Sequence, residues 1–228
     1  MTVWRRRTVG WIRHAPLSLV LLPSSTALIC LLFFAGLIRP SIMVEDGPVE
    51  FASAALFLFA SVLAFWTLVT RELAHKSDVQ LLLGVSLFSL LLFLSEVSFG
   101  ARFFDFEMPP MEGGGEFDGG HDIAIILLRI MQKGDAISLV VALSLLLAFI
   151  GFVAVIYKAR DPIRRFLQDE FHFALLVHVV LLACGVLLDL VPSRTVSLLE
   201  EAVEFTASVT IVWALLLFRR VCSSSMSR

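Results

Sequence analysis

The chain has 228 residues, 58% of them hydrophobic and only 17% charged, with a formal net charge of −2 and a mean hydropathy of +0.91. A soluble domain of this size usually carries about a quarter of its residues as charges, so an ordinary soluble domain is excluded. The class that remains is an all-α, multi-pass membrane protein, whose partner is the lipid bilayer and for which no nucleic-acid partner is expected.

The first residues hold Arg5, Arg6, Arg7 and Arg13 ahead of an apolar run that reaches Ile38. A basic start followed by apolar residues imitates a signal peptide. The run is long enough to span, however, and no small-residue cleavage site ends it, so a retained first helix is expected. Six spans are predicted, near 17–38, 48–70, 79–100, 136–157, 171–191 and 197–218, in one integral membrane domain covering 1–228. The stretch 123–133 is apolar with Arg129 and Lys133 four apart. Gly134 separates it from the fourth span, which points to an interfacial or re-entrant helix, with one long continuous helix as the alternative.

Lys/Arg bias sets orientation. With both termini in the cytoplasm, the inner segments hold 13 of the 18 basic residues and five of the 20 acids. The expected location is the cytoplasmic (inner) membrane of a bacterium, with the acidic face extracytoplasmic. The 101–122 loop lies on that face and carries Asp105, Glu107, Glu112, Glu116, Asp118, His121 and Asp122. Cys30, Cys184 and Cys222 are scattered, with no paired spacing for a disulfide or a thiolate zinc site.

Several acids have a structural explanation. Ser197 and Glu200 read as a capping box, and Glu200 and Glu201 complement a positive helix end. Asp46 or Gly47 can cap the second span, with Pro48 and Glu50 in its first turn. Asp189, just before Pro192, is placed where water reaches it. Glu96 and Glu204 resist this treatment. Glu96 stands near the C-terminal end of its helix, where the macrodipole disfavours an anion. Glu204 lies two turns inside the last span as read from Ser197. An unpaired acid at membrane depth costs on the order of 2–3 kcal/mol, so both are expected to face the bundle interior and to be functional. Arg102 is either a counter-charge or an anchor for an anionic substrate group. His121 becomes a candidate ligand or general base among so many carboxylates. His178, mid-span, is expected to be a satisfied core histidine.

These residues resemble a family of bacterial multi-pass membrane proteins without an assigned function, patterned E-D-G-x-x-E, then G-E-E-I-S-W-G-Q-R, then G-E-L-N-L-H-N, then paired glutamates with another a turn later. Glu45-Asp46-Gly47 with Glu50 matches the first element. Glu96, Ser98, Gly100 and Arg102 match the second, with Phe99 for the tryptophan. Gly115-Glu116-Phe117-Asp118 and His121-Asp122 match the third with one extra residue, and Glu200, Glu201 and Glu204 match the last. Ser95 replaces one family glutamate and Ala101 the glutamine. The resemblance implies that Glu50, Glu96, Arg102, Glu116, His121 and Glu204 form one constellation, and it implies no reaction.

The leading expectation is a membrane-embedded enzyme, a metal-dependent hydrolase or transferase, open to the outer leaflet and acting on a lipid or lipid-linked substrate. Glu96, Glu204 and His121 would be catalytic, and Arg102 would bind substrate. Glu50, Glu96, Glu116, Glu200 and Glu204 would hold a divalent cation. An oxygen-rich set favours Mg, Mn or Ca over Zn. The alternatives are a cation or proton transporter or channel, and a non-catalytic accessory subunit.

Overall fold

The computed structural model describes residues 18–44, 47–70, 76–98, 126, 129–134, 138–140, 142–144, 146, 147, 150, 169–191 and 193–225, with side chains for those between 20 and 220. Among them every regular element is helical. Five long helices are α1 (Ser18–Ile38), α2 (Pro48–Thr70), α3 (Lys76–Glu96), α4 (Glu170–Asp189) and α5 (Arg194–Ser225), with a 3-10 turn at Pro40–Ile42 after α1. Each long helix contains a stretch long and apolar enough to cross a membrane. Their outward faces are apolar too: Phe34, Phe59, Phe65 and Trp66 are half exposed or more. Hydrocarbon, in which a helix satisfies its own backbone, is the solvent that suits such faces. The fold is that of a membrane protein.

α5 is the central element. It packs most extensively on α4 and also on α2 and α1, while α2 packs on α3. Half of its span is buried, a larger share than in any of the other four. Small side chains allow this: Ala202, Ala207 and Ala214 on α5, Ala60 and Ala64 on α2 and Ala174 on α4 are all fully buried. In lipid the gain from helix association comes from close packing and interhelical hydrogen bonds, which small residues permit. Leu21, Phe57, Leu82, Phe171, Ile211 and Leu215 fill the main core. A second cluster, Met43, Leu198 and Ala202, ties the 3-10 turn to the first half of α5. A Cβ at Gly36 would stand 2.9 Å from Met43 Cγ, so glycine there lets the turn fold back on α1.

The start of α2 meets expectation, whereas the end of α3 and the start of α5 depart from it. α2 begins at Pro48, and Gly47, whose carbonyl accepts from Phe51 N at 3.1 Å, is the residue that starts it. Glu45 and Asp46 lie outside the described residues. α3 ends at Glu96, before the exit expected at Gly100; Val97 N still donates to Phe93 O, and Ser98 then takes a left-handed φ of 47°. α5 begins at Arg194. The expected Ser197 capping box is therefore not formed: Ser197 N already donates to Ser193 O at 2.9 Å. The turn signal that decides this end is Pro192–Ser193, and the S-L-L-E pattern inside the helix only imitates a start.

Residues 129–132 are helical, Lys133 is a turn, and Gly134 has a φ of +67°. Residues 138–140, 142–144, 146, 147 and 150 are helical again. Residues 135–137 lie outside the described residues.

Candidate functional site

α4 and α5 form a helical hairpin whose turn, at Leu190–Ser193, carries the hydrogen bonds Val191 N to Leu188 O and Ser193 N to Val191 O. Two antiparallel helices joined this closely keep their ends together. The acids are concentrated at this end of the pair. Asp189 is the last residue of α4, and Glu200, Glu201 and Glu204 follow on α5.

Glu204 is set into the helix contact itself. It lies ten residues into α5, about 15 Å from its start at 1.5 Å per residue. A Cβ at Gly185 of α4 would be 3.0 Å from Glu204 Cγ and 3.1 Å from Oε1. The absent side chain at Gly185 is the space Glu204 uses. Four carboxylates exert charge on Glu204: Glu96 of α3, Glu200 and Glu201 of α5, and Asp189 of α4. Asp189 and Glu201 also act on Glu200. Carboxylates from three helices thus lie within electrostatic reach of Glu204. Like charges crowded in this way are relieved by taking up protons or by binding a cation.

Glu96 and Glu204, singled out for different reasons, are brought together, and Glu200 joins them. Glu50 stands half-buried in the first turn of α2 and is not among the charges that act on Glu204. Arg102, Glu116 and His121 lie outside the described residues. Among the described residues no three of His, Cys, Asp and Glu come together so as to hold a metal ion. The described carboxylates are therefore one wall, and any metal ligand set would have to be completed from elsewhere.

Gly185 is the residue the sequence reading missed. Asp189 is partly accessible, as expected of a helix-terminal acid, but its Oδ2 is shielded from solvent with no hydrogen-bond partner among the described residues. Gly185 had a signal available: an isolated glycine within an apolar helix marks a close approach. Glu200 and Glu201, the seventh and eighth residues of α5, also lose their helix-end explanation, since the macrodipole acts within the first turn.

Beneath the carboxylates the interior is first polar, then apolar. His178 of α4 is 1% exposed. Its Nδ1 donates to Ala207 O of α5 at 2.9 Å, and its ring meets Phe57 and Phe88 edge-on. Nε2 has no partner among the described residues, so this core histidine is half satisfied rather than fully so. On α3, Ser86 and Ser61 of α2 exchange hydroxyl-to-carbonyl bonds of 2.9 and 3.0 Å. Buried Leu82, Leu63, Ile211 and Leu215 belong to the core cluster beyond them.

Compared with protein-family models, with curated proteins and with solved structures, the chain matches none of them.

Proposed function

We propose that this chain is a membrane-embedded enzyme whose carboxylate centre opens to the outer leaflet and acts on a lipid or lipid-linked substrate. The observation that carries the reading is the crowding of Glu96, Glu200, Glu201 and Asp189 about Glu204, which is seated against Gly185. A carboxylate cluster gathered at one end of a helix pair suits chemistry on a bound substrate better than passage through the bundle. Glu204 with one of its neighbours Glu96 and Glu200 would supply part of the ligand set of a divalent cation, Mg, Mn or Ca, with Glu116 and His121 completing it and Arg102 holding an anionic head group. The cation would supply an activated water, and a neighbouring carboxylate would take its proton. The resemblance to the multi-pass family groups the same residues.

Six crossings, with both termini cytoplasmic, fit the same reading. Glu96 at the end of α3 and Asp189 at the end of α4 both act on Glu204, which favours α3 and α4 running in the same direction. Parity then asks for an odd number of crossings within 97–169, and one span near 136–157 supplies it. The segment before Gly134, with Arg129 and Lys133, is read as interfacial.

Binding of Mn2+ to the purified, detergent-solubilised protein, followed by its spin-resonance signal, tests the site. The parent should bind, and Glu96→Gln and Glu204→Gln should each lose binding by tenfold or more, in line with about 1.4 kcal/mol per factor of ten. Equal binding by parent and variants would remove the metal site and leave the accessory role. Transport is the second reading, favoured by the polar atoms of Ser89 and His178 below the carboxylates. Ion or proton flux into proteoliposomes that disappears in Glu96→Gln would establish it instead.

A further inference from the structure

Ser89 Oγ and His178 Nε2 are buried polar atoms without a hydrogen-bond partner among the described residues. Their side chains are 0% and 1% exposed. The other buried hydroxyls of the core differ. Thr67, Thr206 and Thr210 bond the carbonyl one turn back, Ser208 bonds Phe205 O, and Ser61 and Ser86 bond each other's carbonyls. An unmet hydroxyl or imidazole nitrogen in an apolar interior is costly, so each of the two calls for a ligand.

They lie at the same depth. Ser89 precedes Glu96 by seven residues on α3, and His178 precedes Gly185 by seven on α4. Seven residues are two turns, which return to the same helix face about 10 Å further along. Glu96 and Gly185 both border Glu204, so Ser89 and His178 both stand two turns inward from the carboxylate centre. Phe88, the neighbour of Ser89, has its ring centroid 6.3 Å from that of His178.

We propose that Ser89 and His178 form an internal hydration site that holds water between α3 and α4. A carbonyl can only accept, so the bond to Ala207 O commits Nδ1 as donor. The neutral ring then presents Nε2 as an acceptor. Water donates to Nε2 and accepts from the Ser89 hydroxyl, which gives it the minimum of two polar partners that buried water needs. The Ser61–Ser86 exchange one turn further in closes the polar stretch. This site goes beyond the carboxylate centre and draws on none of its acids, so it stands or falls independently of cation binding. Its role is to keep water at hand for the carboxylates.

Val177–His178 is the only Val–His pair in the chain, so labelling valine carbonyl carbon and histidine nitrogen marks His178 among the five histidines without a substitution. In lipid-reconstituted protein, solid-state NMR should find Nδ1 protonated, Nε2 unprotonated and hydrogen-bonded, and magnetisation passing from water to the ring. Ser89→Ala should reduce that transfer severalfold, and Glu204→Gln should leave it in place. A parent ring with no transfer from water overturns the proposal without any variant. Transfer undiminished in Ser89→Ala also overturns it.

Discussion

Glu204 on α5 lies against Gly185 on α4, its Cγ 3.0 Å from where a Cβ at position 185 would stand. A glycine in one helix thus sets the position of a carboxylate in another. Gly185→Ala places a methyl group where Glu204 now lies. The listener to that change is a flexible side chain rather than backbone, and alanine favours the helix by about 0.8–1.0 kcal/mol. Thermal stability in detergent should therefore hold or rise slightly. Divalent-cation binding should weaken by about 10–100-fold, the usual effect of disturbing what orients a ligand. Binding lost together with stability would mean that Gly185 serves packing alone.

Gly47 is different in kind. A Cβ there would strike the Val44 carbonyl oxygen and stand 3.2 Å from Val44 N and 3.3 Å from Ile42 O. These are backbone atoms of the turn that starts α2, and they cannot move aside as a side chain can. Gly47→Ala should destabilise the protein by about 1–3 kcal/mol, the cost of overpacking. Gly84, where a Cβ would meet nothing within 4 Å, is the matched control. Gly84→Ala should be neutral or stabilising by up to about 1 kcal/mol. Denaturant or thermal unfolding of the two variants side by side checks the contrast, and equal effects would refute it.

Orientation has its own test. Reporter fusions at Met111 should lie outside the cell membrane and fusions at Arg164 inside. Reporters on the same side would remove the crossing near 136–157 and with it the six-span arrangement. An outer Arg164 would also undo the one-ended site.

Five of the six expected spans were legible because each is a long apolar run, and the bounds of α2 follow directly from Pro48 and from the Arg71 that comes after Thr70. That Glu204 has acids for neighbours was legible in part, since an acid at membrane depth asks for company and Glu96 is among the charges that reach it. The helix ends were less so. Ser98 adopts its left-handed conformation without a glycine to announce it, and Gly100 offered a more conventional exit. Ser197 and Glu200 carry a start pattern that a helix already under way does not use. Asp189 and Gly185 depended on what the opposite helix brings, and His178 on which of its two nitrogens finds a carbonyl. Properties of a single helix could be read from one sequence, whereas properties of a contact between helices could not.

The reciprocal bonds between Ser61 and Ser86 bear on how the protein is made. α2 and α3 are consecutive, and together they satisfy these hydroxyls without help from any later helix. These two hydroxyls can therefore be hidden from lipid as soon as α2 and α3 pair. The carboxylate centre has no such autonomy, because Gly185 and Glu204 belong to α4 and α5. Assembly of the acids therefore has to follow synthesis of α5, and variants that impair only that step should yield inserted protein that lacks the site.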